Sequence, residues 1–239
     1  MNKIFKIFFL LISFLLIFNN KLLYATDTCE INTSPVLNPK LIFDKNSSDT
    51  LRNLSQEYLN VYKKQSFDKK FYYKIKSYIN LNKHSYSSLS ALLMLVSMCF
   101  LENDEAKYSE YGRKIIDFII SKYPETVQGK ISLILLAQTQ SEEGNDNEAF
   151  KILHDNYEII LSAEKDPYYN SYLYELNFEN NDPISAEYIF LLGNIYFHLN
   201  KDENAIIEFN KIIDYFPNST LSTASKRVIK AINALSKSL

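Results

Sequence analysis

Between residues 189 and 217 the chain spaces small, aromatic and proline residues in a way that few folds accept. Ile189 is followed after two residues by Leu192 and Gly193. Two more lead to Tyr196, eight to Ala205, then come Phe209 and Pro217. Apolar residues three and four apart mark two amphipathic helices. The short polar break Asn200-Lys201-Asp202 folds them back on each other as an antiparallel hairpin. Gly193 and Ala205 stand where the helices cross, so a side chain larger than Ala would push them apart. Tyr196 and Phe209 fill the wedge towards the neighbouring hairpin. Pro217 cannot continue a helix and turns the chain away.

The same grammar recurs upstream. Leu133, Leu136 and Ala137 precede Ala149 and Leu153, with Gln140 in the Tyr position and Leu161 in the Pro position. Leu93, Val96, Ser97 and Phe100 precede Gly112, Ile116 and Pro124, with a turn three residues longer. Helical spacing predicts segments at roughly 49–63, 67–79, 87–102, 105–122, 127–142, 146–163, 184–199, 202–215 and 219–237. Residues 49–79 read as a fourth, degenerate hairpin. With only 4 Gly and 6 Pro in 239 residues, the chain lacks the punctuation of an all-β fold.

The Gly–Tyr–Ala–Phe–Pro set resembles the tetratricopeptide repeat position for position, with Ile189 in place of the usual Trp. The resemblance covers residues 90–219: closely in the repeat at 186–219, less closely in the two before it, with a gap at 164–185. It implies an all-α fold of stacked antiparallel hairpins, a short superhelix over residues 49–239. The last helix would be its cap, with Ala224, Val228, Ile229, Ile232 and Leu235 inward and Lys226, Arg227 and Lys230 outward. It also implies a protein-binding groove lined by the first helix of each hairpin. In the best repeat those positions are Glu187, Phe190, Asn194, Phe197 and His198. The aromatics either grip a peptide or bury against the next helix. A basic clamp for a C-terminal carboxylate, found in some relatives, is not reproduced. The aromatic-Pro repeat ends at Tyr215-Phe216-Pro217 and Lys122-Tyr123-Pro124 are similar to those of bacterial envelope repeat proteins. These include the Tol–Pal-associated periplasmic protein and the repeat lipoprotein of the β-barrel assembly machine. The lipid-bearing cysteine of the second and the coiled coil of the first have no counterpart here.

Residues 1–25 read as a secretory signal. Lys3 and Lys6 precede an uncharged run from Ile7 to Phe18, and Ala25 offers a small residue for cleavage. A run of twelve residues falls short of the ~20 that span a bilayer. The expected location is the periplasm or beyond, the alternative an inner-membrane anchor through residues 4–18. Residues 26–48, with Pro35 and Pro39, read as an extended arm. After cleavage the chain holds Cys29 and Cys99, which an oxidising compartment would allow to pair. The alternative for Cys99 is a buried small hydrophobe.

Loss of three lysines with the signal takes the net charge from −2 to −5, which is not the footprint of a nucleic-acid binder. His84, His154 and His198 lie in separate segments without metal-ligand spacing. No nucleophile motif or phosphate-binding loop is present. The expectation is therefore no enzyme, no cofactor and no metal. The chain reads as an exported adaptor that holds another protein, with cell-envelope maintenance as its setting. A membrane-anchored chaperone or secretion subunit is the alternative. The expected contact residues are Phe190, Asn194, Phe197 and His198. Tyr168, Tyr169 and Tyr172 join them from the loop between Pro167 and Pro183, which forms either a short helix over the groove mouth or plain core contacts.

Overall fold

The computed structural model describes residue 37 and residues 40–63, 67–101, 106–176 and 182–236. The signal at 1–25, its alternative anchor at 4–18, Cys29 and most of the arm lie outside them. Eleven α-helices are described: α1 (Lys45–Lys63), α2 (Lys69–Leu81), α3 (Ser87–Leu101), α4 (Ala106–Lys122), α5 (Val127–Glu142), α6 (Asp146–Asp155), α7 (Tyr157–Leu161), α8 (Tyr169–Leu176), α9 (Ile184–His198), α10 (Asp202–Tyr215) and α11 (Thr220–Ser236). The fold is all-α, as the periodicity predicts. Among the described residues one parallel bridge joins Ile42 to Ser85. The helices group into two compact units. One holds α1–α4 with α8, the other α5–α7 with α9–α11.

In the first unit α3 is the central helix. Its sequence SSLSALLMLVSMCFL is apolar on every side, as befits a helix enclosed by neighbours. It packs on α1, α2 and α4. Leu89, Leu92, Leu95, Met98 and Cys99 are buried, as are Ile115, Ile116 and Ile119 of the adjoining α4. Cys99 is thus a core residue whatever Cys29 does. The arm ends earlier than predicted: residues 45–48 already belong to α1. Asp44 sets the start by accepting hydrogen bonds from the backbone N–H groups of Asn46 (3.1 Å) and Ser47 (3.3 Å), a capping arrangement that favours helix initiation.

The second unit is a tetratricopeptide-like stack of two hairpins and a cap. α5 pairs with α6, α9 with α10, and α9 packs on both α5 and α6. The two turns are built alike. Gly144 N–H bonds the carbonyl of Ser141 (3.0 Å) and Asn145 N–H that of Gln140 (2.8 Å). Asn200 N–H bonds Phe197 (3.0 Å) and Lys201 N–H bonds Tyr196 (2.9 Å) in the same pattern. Each turn needs one left-handed residue, supplied by Gly144 (φ 83°) and Asn200 (φ 57°). The close crossing expected at Gly193 is present, since a Cβ there would lie 2.8 Å from Phe209 Cε1. The segment predicted as one helix at 146–163 is instead broken at Asn156, whose side-chain amide donates to the carbonyl of Ile152 (2.8 Å). Helix α11 caps the stack as expected, burying Leu221, Val228 and Ile232 and exposing Lys226, Arg227 and Lys230.

Candidate functional site

Helix α9 presents Glu187, Leu191, Asn194 and His198 on one face, the spacing that aligns side chains along a helix. Glu187 is exposed, while Leu191, Phe197 and His198 are half-buried. Phe190 does not belong to this face. It is 7% exposed, and its ring lies 5.5 Å from that of Phe209, inside the hairpin. The burial alternative for this aromatic therefore applies, and Leu191 takes the open position beside it. Asn194 lies beneath the face at 4% exposure, and its amide nitrogen has no acceptor among the described residues.

The electrostatics of the face come from segments without helical periodicity. Burial pushes the Glu187 carboxyl up to about 7, and the carboxylates of Asp182 and Glu164 add to the rise. Glu164 accepts the backbone N–H of Ser185 (2.6 Å), which ties the end of the second hairpin's first helix to the segment after α7. Tyr169 stands in the same field. Burial first, then Glu164, raises its hydroxyl to about 12.

His198 is engaged internally. Its Nδ1 lies 3.0 Å from Asp146 Oδ1 and 3.2 Å from Ser141 Oγ, and the Ser141 hydroxyl donates to Asp146 Oδ1 at 2.6 Å. A carboxylate only accepts, so Nδ1 carries the proton. A Ser, a His and an Asp thus meet, but not as a relay. Catalysis of that kind uses the two ring nitrogens separately, whereas here both partners meet the same one. The cluster ties α9 to the turn between α5 and α6.

The predicted residues are only partly gathered. Asn194, Phe197, His198 and Tyr169 lie in the second unit around α9. Tyr168 is half-buried beside Asp166, whose Oδ1 accepts its N–H (2.9 Å). Tyr172 is buried in α8 of the first unit. It is a core contact there. Leu191, Glu164 and Asp182 escaped the sequence reading. Leu191 is legible from its helical offset to Glu187 and Asn194. The two acids sit in the gap, where no period points to a face.

Residues 187–219 match the family model of the tetratricopeptide repeat. No curated protein and no solved structure matches the chain.

Proposed function

We propose that this protein is an exported adaptor that captures a segment of another cell-envelope protein on the open face of α9. Tetratricopeptide repeats mediate protein–protein interaction, and the repeat at 187–219 carries this face. The observation that supports the reading most is the unsatisfied amide of Asn194 beneath a helix face that is only half covered. Glu187 reaches solvent at one end of this face, with Leu191 and Phe197 half-buried along the same helix. A half-buried apolar strip with one or two polar groups suits a peptide better than it suits chemistry. Asn194 adds a donor in search of an acceptor, and a buried unsatisfied donor costs about 1–3 kcal/mol. A peptide carbonyl reached by a small rotation of the Asn194 side chain would recover that cost. The acidic surroundings of Glu187 favour a partner segment that brings a basic or donor residue.

The test pairs capture with folding. Full-length protein and an Asn194→Ala/Phe197→Ala variant are compared for crosslinked partners from envelope extract. The variant should lose the partner while keeping its helical circular dichroism. Undiminished capture by a folded variant would place the interaction elsewhere.

A further inference from the structure

Helix α8 comes from the gap between the two repeats of the second unit, but it is part of the first. At eight residues it is too short to hold helical structure alone, so its order depends on its seat. Tyr172 and Leu176 are buried there. The Tyr174 hydroxyl donates to Asp49 Oδ1 (2.8 Å), and the Arg52 guanidinium lies 4.1 Å from the Tyr174 ring centre. The central anchor is Glu175, only 2% exposed. Its two carboxyl oxygens accept the hydroxyls of Ser87 and Ser90, each at 2.6 Å. Among the described residues no Lys or Arg pairs with it.

We infer that α8 is a pH-gated strap on the first unit, seated most firmly while the Glu175 carboxyl is protonated and loosened when it ionises. A buried carboxylate without a cation keeps its full desolvation cost, and serine hydroxyls offset only part of it. Burial accordingly raises the Glu175 carboxyl above its ordinary value, while Ser87, Ser90 and Ser48 pull it down less strongly. The seated form therefore favours the proton. Its advantage is complete below about pH 4.5, the ordinary value, and is lost as pH rises through the raised one. The other groups facing this seat do not reverse the sign. Tyr78 of α2 is pushed up by burial and stays neutral. Asp44, ahead of α1, is held low by the Ser47 hydroxyl and stays ionised. Asp49 and Arg52 of α1 face Tyr174, and α3 presents only hydroxyls.

Hydrogen exchange over residues 169–176 of the full chain, corrected for intrinsic rates, reads the seat directly. Glu175→Gln keeps the shape and cannot ionise, and one serine hydroxyl turns from donor to acceptor to meet its NH2. It should match the native chain at about pH 4 and be several-fold better protected at about pH 8. Equal protection at both values, or weaker protection of the variant at both, would overturn the inference. Ser90→Ala removes one donor that favours the ionised carboxylate. It should deepen the alkaline loss of protection, and an unchanged pH profile would count against the strap in the same way.

Discussion

At the scale of single residues, Gly193 and Glu187 show what kind of physics a sequence displays and what it hides. Gly193 is a packing constraint with a fixed offset to Phe209, and the spacing alone points to a crossing that a Cβ would obstruct. Gly193→Leu should lower stability by roughly 1–3 kcal/mol in denaturant melts, the usual cost of overpacking. Lys226→Leu, on the exposed face of α11, should change it little. Equal effects would refute the crossing. Glu187 is different, because its behaviour depends on burial first and then on Asp182 and Glu164, which belong to segments without a helical period in the sequence. Its carboxyl sits at about 7 in the folded protein, above the unfolded value, so the native state prefers it protonated. That contribution is full below about pH 4.5 and fades as pH climbs through about 7. Measured from about pH 5 to about pH 8, the native chain should lose stability relative to Glu187→Gln. Parallel profiles would show that the carboxyl is not desolvated. Phe190 marks the limit of a helical wheel. It shares a stripe with Asn194, but the bulk of Phe209 opposite a glycine draws it into the hairpin.

Elements were legible where apolar periodicity was strong, and α5 and α10 occupy the spans that the pattern predicts. The misreadings fall where a side-chain hydrogen bond sets the boundary. Asp44 starts α1 early, and Asn156 ends α6 inside an unbroken apolar pattern. Helix α8 was legible only as one of two readings of its loop, because it is brief and tyrosines and asparagines surround it. The start of α11 has a longer-range determinant. Ser219 Oγ accepts the N–H of Ser222 (2.9 Å). Asp182, 38 residues before Thr220, accepts the N–H groups of Thr220 (3.1 Å) and Leu221 (3.3 Å) and the Thr220 hydroxyl. Asp182→Ala should therefore behave like loss of an N-cap, costing about 1 kcal/mol and speeding amide exchange in the first turn of α11. An unaltered first turn would mean that Ser219 suffices.

For the whole molecule, the repeat pattern conveys the fold class but not the division into two units. Repeats report contacts between neighbours, whereas α8 joins the first unit from far along the chain. Export is a separate proposal with its own measurement. Intact mass of the protein recovered from cells should correspond to a start at or near Thr26. An intact Met1 in the membrane fraction would favour the anchor through residues 4–18. The central claim is that the open face of α9 holds a protein partner, and site-specific photocrosslinking in the native envelope tests it most directly. A photoreactive residue at Leu191 should give a discrete protein adduct that Asn194→Ala weakens, while the same group at Lys226 gives none. Adducts at Lys226 with none at Leu191 would contradict the account.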